Sequence, residues 1–243
     1  EDGKLTPLPN KHVDTGLGLD RIVRVLQNKT SNYDTDLWTP IIDSIQEITG
    51  AKSYQGSDND PVDVAYRVIA DHIRCLTVAL ADGGRPGAAG REFVLRRILR
   101  RAARHGHQTL GVEGPMLYKL VPSVVETLGE TFTEITENAK HIADVIRDEE
   151  ESFLKTLDRG LELFDKAVSN GDGKNIDAKT AFTLHDTFGF PIDLTEVMAE
   201  ERNLIVDRDG YETLMEVARE TSRATSSTDQ KMQLPPDVLA SLE

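Results

Sequence analysis

Apolar residues recur at helical spacing along most of the chain. Positions 65, 68, 69, 73, 76 and 80 fall on one face and predict a helix over 62–81. The same period predicts helices over 19–26 (stripe Leu19, Ile22, Val23, Leu26), about 36–49 and 116–128. A single long helix, with at most one break, is predicted over 132–169, followed by helices over 178–185, 193–201 and 210–225. Asp177 reads as an N-cap. Prolines 7 and 9 exclude helix near the start, where 11–14 predicts a short strand. Glycine-rich turns are expected at 82–90 and 170–173, and the polar stretch 50–60 reads as a linker or boundary. The predicted fold class is mainly α, with little strand after residue 14.

One stretch breaks the usual balance of such helices. Residues 95–104 read Leu-Arg-Arg-Ile-Leu-Arg-Arg-Ala-Ala-Arg. On a helix, Arg96, Arg100 and Arg104 form one row, with Arg97 and Arg101 in the row beside it. Val94, Leu95, Ile98, Leu99 and Ala102 fill the opposite, core-facing side. Arg91 precedes them. Such a cationic face in a protein of formal net charge -14 needs an anionic counterpart. Two counterparts fit: phosphates of a partner, or carboxylates elsewhere in this acid-rich chain. The run 148–151 (Asp-Glu-Glu-Glu) reads as a solvated face.

Composition narrows the classes. Aromatic residues are 5% of the chain, which argues against base-stacking platforms. The single cysteine, Cys75, allows no internal disulfide, fits a reducing compartment and reads as a core residue. No apolar run approaches membrane-spanning length. The overall acidity argues against indiscriminate nucleic-acid binding. The histidines lack cysteine partners at zinc spacing, and Asp34 and Asp36 read as caps rather than a metal pair.

A second feature lies at 13–26. Gly16 and Gly18 lack Cβ atoms, so a flat ligand can approach the backbone. Arg21 stands one turn into the helix, where a guanidinium can stack on a base or offset phosphate charge. Asp14 can pair with an ammonium group. By spacing alone, a plain strand-to-helix turn with a surface arginine is the simpler explanation of these residues. The third glycine of a dinucleotide fingerprint is absent, as is a Walker lysine.

Four segments, in order, resemble alanyl-tRNA synthetases. His12-Val-Asp-Thr-Gly-Leu-Gly-Leu-Asp-Arg-Ile, followed by Ser31-Asn-Tyr-Asp-Thr-Asp-Leu, resembles motif 3 of that family. Tyr66-Arg-Val-Ile-Ala-Asp-His-Ile-Arg resembles the start of its helical tRNA-recognition domain. Val94-Leu-Arg-Arg-Ile-Leu-Arg-Arg-Ala resembles its basic helix, and Asp186-Thr-Phe-Gly-Phe-Pro-Ile-Asp-Leu-Thr its later signature.

The resemblance implies an internal fragment of a class II synthetase. Residues 1–55 would be the strand–helix end of the antiparallel-sheet catalytic domain, and 56–243 the helical acceptor-stem recognition domain. It implies an enzyme that ligates alanine to tRNA(Ala) with ATP, and Mg2+ in the full-length protein. Gly16, Gly18 and Arg21 are expected to bind ATP, and Asp14 with Gly16 alanine. Arg91, Arg96, Arg97, Arg100, Arg101, Arg104 and Asp186 are expected to bind the acceptor stem. Within that set, Asp186 reads a G·U pair. The resemblance also implies an asparagine in the loop before the basic helix. That loop here is Gly87-Ala88-Ala89-Gly90, and the position falls at Ala88, which offers no side-chain donor or acceptor.

Motifs 1 and 2 of class II chemistry are not found in these residues, so catalysis by the segment alone is not expected. Neither a membrane nor DNA is expected as a partner. The expected location is cytoplasmic, with mitochondrial as the alternative. Two other readings remain open: a diverged, non-charging tRNA binder, and a protein-interaction module that uses the acidic run.

Overall fold

A computed structural model describes residues 6–170 and 174–229. Of the turn expected at 170–173, residues 171–173 lie outside the described residues. The helices run in the order α1 (Leu19–Leu26), α2 (Thr39–Thr49), α3 (Pro61–Ala81), α4 (Gly90–Arg104), α5 (Val121–Leu128), α6 (Thr133–Asn170), α7 (Ala178–Asp186), α8 (Ile192–Glu200) and α9 (Arg208–Asp229). The boundaries follow local chemistry. Asp60 caps α3 by accepting from the Val62 amide, and Pro61 occupies its first turn. Asp177 caps α7 by accepting from the Thr180 amide at 3.0 Å.

The central helix is α3, which contacts α2, α4, α5 and α6. Its stripe Ala65, Tyr66, Ile69, Ile73 and Leu76 is fully buried. Ile41 and Ile45 of α2 belong to the same core, so α2 and α3 pack as one body. The stretch between them has no regular structure, yet it is pinned. The buried Asp63 carboxylate accepts from the amides of Gln55 (3.1 Å) and Ser57 (2.7 Å), and the Tyr66 hydroxyl donates to the Lys52 carbonyl at 3.1 Å. Polarity here reflects hydrogen bonding to the core helix, not a loose linker.

Helix α7 packs on α8 and α9, and a two-stranded parallel sheet missed by the sequence reading sits against α8 and α6. Strand β1 (Asn175–Ile176) pairs with β2 (Ile205–Val206) in the register Asn175↔Ile205 and Ile176↔Val206. Two-residue strands carry too little pattern to be read from sequence. Helix α4 ends in a π turn (His105–Thr109) with His105 and Gly106 buried, also unforeseen.

Four expectations need correction. Residues 11–14 form no strand but an exposed, irregular segment, since the described residues offer 11–14 no strand to pair with. The apolar stripe of α1 is not buried: Leu19 and Leu26 are exposed, and α1 has no buried residue. Cys75 is exposed rather than in the core, on the side of α3 away from the Ile73–Leu76 stripe. The acidic run is only half solvated. Asp148 and Glu151 face solvent, whereas Glu149 turns inward and Glu150 is buried in the row Ile142, Ile146, Phe153, Leu157. Helical spacing from Ile146 places Glu150 on the core face.

Candidate nucleic-acid interface

Helix α4 carries the arginines, and the fold divides them. Arg100 is the most engaged. Its Nε and Nη2 donate to Glu149 Oε1 at 2.9 and 2.6 Å, and its Nη1 donates to the Gly189 carbonyl. Its side chain is 14% exposed, and its guanidinium carbon lies 5.3 Å from the Phe153 ring centre. Burial draws its pKa below the ordinary arginine value, and Glu149 opposes this. Arg96 Nε lies 3.2 Å from the same Glu149 oxygen. One inward carboxylate of α6 thus serves two arginines of one row.

Arg104 is 5% exposed and pairs with Glu201 at 2.7 Å. Arg97 pairs with Asp193 at 3.1 Å but stays 40% exposed. Arg101 is half-buried and Arg91 is exposed. Neither Arg91 nor Arg101 has a carboxylate partner among the described residues. The five-arginine face is therefore not a uniform solvated surface. Acidic partners from 49 to 97 residues further along the chain meet Arg100 and Arg104, while Arg91, Arg97 and Arg101 keep access to solvent.

The segment after α7 is built onto this helix. Gly189 has φ +71, and a Cβ there would lie 2.5 Å from Arg100 Nη1. Glycine is required both for the left-handed backbone and for the arginine's approach. Phe190 is fully buried, its ring tilted at 5.7 Å from Phe153. It seats against Gly160, in the middle of α6, where a Cβ would approach the ring to 2.3 Å. The Thr156 hydroxyl donates to the Phe188 carbonyl at 2.8 Å. Two carbonyls and one ring thus fix residues 188–190. Asp186, the last residue of α7, stays exposed, with no partner for its carboxylate among the described residues. Arg97–Asp193 closes the same junction from the far side of the loop.

The structure therefore brings the arginine helix and the 186–193 segment into one frame, 89 residues apart in sequence between Arg100 and Gly189. Residues 14–21 form a separate feature. Asp14, Gly16, Gly18 and Arg21 are all exposed. The Arg21 stem crosses Gly18, whose Cβ position is 3.5 Å from Arg21 Cδ, whereas nothing lies within 4 Å of the Cβ position of Gly16. This segment is tied to the body through Asp20. Both Asp20 oxygens accept from Arg74, at 2.8 and 2.9 Å. Arg74 holds the Asp20 carboxyl below its usual value and stacks 3.6 Å above the Trp38 ring. Sequence reasoning singled out Arg21 and passed over its neighbour Asp20. It also passed over Glu149, Asp193 and Glu201, the residues that neutralise the arginines. The inward face of α6 offered a signal for Glu149 and Glu150, but none existed for which arginine each carboxylate meets.

Among the described residues, no group of three or more His, Cys, Asp or Glu is arranged to hold a metal ion. No helix among them is long and apolar enough to cross a membrane.

Comparison with known proteins adds an independent line. A family model described as tRNA synthetases class II (A) matches residues 1–243. The chain is 50% identical over 216 residues to the cytoplasmic alanine–tRNA ligase of Drosophila melanogaster, covering 87% of this chain and 22% of that protein. It is 46% identical over 238 residues to the mitochondrial alanine–tRNA ligase of Saccharomyces cerevisiae, covering 95% and 24%. The alanine–tRNA ligase of Chlorobium phaeobacteroides is 49% identical over 225 residues, with 91% and 25% covered. The chain spans about a quarter of the length of these curated relatives.

Proposed function

Because the chain belongs to the class II (A) tRNA synthetase family, we propose that it is the part of an alanine–tRNA ligase that grips and reads the tRNA acceptor stem. The whole protein would ligate alanine to tRNA(Ala) with ATP. The observation that carries the reading is the frame described above. Arg100 locks the 186–193 segment to α4, so exposed Asp186 and the solvent-accessible Arg91, Arg97 and Arg101 hold fixed relative positions.

In this reading the arginines differ in role. Arg91, Arg97 and Arg101 contact phosphates, which supply affinity without sequence information. Arg96, partly exposed beside Glu149, adds to the same field. Arg100 and Arg104, turned toward carboxylates, position the helix rather than lie on RNA. Asp186 accepts from a base-edge donor at the G·U pair. The inward turn of Glu149 and Glu150 removes half of the acidic patch on which a protein-interaction module would rely.

Residues 14–21 belong, in this reading, to the ATP and alanine site of the whole enzyme. Arg21 would stack on the adenine above Gly18, Gly16 would leave the floor open, and Asp14 would meet the alanine ammonium. ATP supplies the activated phosphoryl linkage. No Mg2+ ligand is assigned among the described residues. The division near residue 55 is one of task, since α2 and α3 share a core.

The test is titration of an alanine-tRNA acceptor minihelix over a range of salt. Arg97→Ala or Arg101→Ala should weaken binding for all sequences and reduce the salt slope by about 1 each. Asp186→Ala should retain most affinity and lose on the order of tenfold in preference for G·U over G·C, as for one base-edge contact. Unchanged binding in all three variants would overturn the placement of the interface.

A further inference from the structure

Asp186 stands where its own helix does nothing for it. It is the last residue of α7, so its exposed carboxylate lies at the negative end of the helix dipole. The scaffold on either side must therefore fix its position. On the C-terminal side, the Gly189 and Phe190 amides donate back to the carbonyls of His185 (3.1 Å) and Leu184 (2.8 Å). On the other side is the His185 side chain, which the function proposed above leaves unused. Its imidazole lies between two other helices. Nδ1 shares a hydrogen bond with the Tyr211 hydroxyl of α9, and the two rings are 5.8 Å apart at 32°. Tyr211 is buried, and a buried phenol needs such a partner. Phe93, in the first turn of α4, is tilted by 44° against the same imidazole at 6.2 Å. Burial holds the His185 pKa below its ordinary value, and the Asp186 charge opposes this only in part. The ring is thus uncharged near neutral pH, offers Asp186 no cation to pair with, and leaves that carboxylate available as an acceptor.

We propose that His185 and Tyr211 are positioning residues for base-pair readout: their hydrogen bond, backed by Phe93, sets where the Asp186 carboxylate stands relative to α4. Neither residue touches RNA. This role presupposes that Asp186 reads the G·U pair, as proposed above. Ala88 has no side-chain donor or acceptor, so in that reading the side-chain readout rests on this one carboxylate. A displacement of under about 1 Å is enough to spoil a hydrogen bond. The Phe93 contact joins the pair to the turn that leads from the Ala88 loop into the arginine helix. The arginines that grip and the carboxylate that reads thereby keep one spacing, held by His185 at one end of the turn and by Arg100 on Gly189 at the other.

The test titrates the full chain with acceptor minihelices carrying G·U or G·C, and melting temperature checks that each variant is folded. Tyr211→Phe removes one oxygen and keeps the ring. It should bind the G·C minihelix within about twofold of the unchanged chain and with the same salt slope, because the phosphate-facing arginines are untouched. Its preference for G·U should fall about fivefold, as for one lost hydrogen bond. His185→Leu should do the same. His185→Asn, which brings an amide within reach of the Tyr211 hydroxyl, should restore part of the preference. The double variant Asp186→Ala/Tyr211→Phe should lose no more preference than Asp186→Ala alone, since both changes act on one contact. A purely structural role would instead lower the melting temperature, with preference unchanged or with losses that add, and either result would overturn the proposal. If Asp186→Ala loses preference while Tyr211→Phe and His185→Leu keep it, the positioning role is wrong and the reader stands. If Asp186→Ala itself keeps its preference, the reader is wrong and the positioning role falls with it.

Discussion

Arg100 and Glu149 meet through two hydrogen bonds to a single carboxylate oxygen, at 2.9 and 2.6 Å. The third guanidinium nitrogen reaches the Gly189 carbonyl. An arginine that looks like an RNA contact on a helical wheel is instead the bolt between α4, α6 and the loop that follows Asp186.

Removing either partner should therefore be felt in the fold before it is felt in binding. Truncating one member of a buried ion pair strands the other, at about 3 kcal/mol. Arg100→Ala is expected to lower unfolding free energy by that order. Glu149→Ala should do the same, and the double variant should cost less than the sum by 1 kcal/mol or more, on the order seen for contacting pairs. Arg100→Lys should not restore stability, because an ammonium cannot address Glu149 and Gly189 with a planar fork. Urea denaturation of the four proteins completes the cycle. Additive single effects would show that the pair is not coupled.

Gly160 reverses the usual rule for helix glycines. In an exposed helix interior, glycine to alanine gains up to about 1 kcal/mol. Here the added methyl would stand 2.3 Å from the Phe190 ring. Gly160→Ala should instead destabilise by about 1–3 kcal/mol through overpacking. Phe190→Leu in the same chain should recover part of that loss. Thermal denaturation of the single and double variants reads this directly, and a stabilised Gly160→Ala would contradict the packing described for residues 188–190.

Two buried groups make opposite contributions to pH dependence. Burial pushes Glu150 up to about 7, against the amides of Met116 and Leu117 that donate to it. Its folded value lies above its ordinary value of 4.5, so its contribution is full below about 4.5 and is lost as pH rises to about 7. Burial, helped by Arg104 and Arg101, holds His105 down at about 4 against an ordinary 6.5. Its contribution is full above 6.5 and is lost as pH falls toward 4. Each window corresponds to about 3 kcal/mol. Between about 4.5 and 6.5 the two slopes oppose each other. Glu150→Gln should unmask a stability that rises with pH through this interval, and His105→Gln one that falls. Urea midpoints at half-unit steps from pH 4 to 8 check both slopes.

The exposed geometry at 14–21 predicts the behaviour of these 243 residues on their own. Asp14, Gly16 and Gly18 sit in irregular chain with no strand partner among the described residues. Stabilising charge at a transition state requires several donors held in place at once. The isolated segment is expected to show no alanine-dependent exchange of pyrophosphate into ATP. Exchange above background would show that residues 14–21 are sufficiently organised without further chain.

Much of this protein was legible in its sequence. Helical periodicity placed α3 and α6 to within a residue or two, because long amphipathic helices repeat their signal many times. Asp177 as a cap follows from local chemistry alone. The motifs at 12–22, 66–74, 94–102 and 186–195 pointed to the family that the comparisons then showed. Periodicity also held the information that Glu150 faces inward, although a four-residue acidic run reads first as solvated.

Only the tertiary structure decided what the charges do. A row of arginines on a helix looks the same whether it faces phosphate or carboxylate, since its spacing is set by the helix and not by its partner. Glu149, Asp193 and Glu201 lie 49 to 97 residues from the arginines they meet, and no local rule links such positions. Folding brought them together, buried Arg100 and Arg104, and left Arg91, Arg97 and Arg101 accessible. Burial, a property of the whole packed chain, separates the arginines that build the surface from those free to use it.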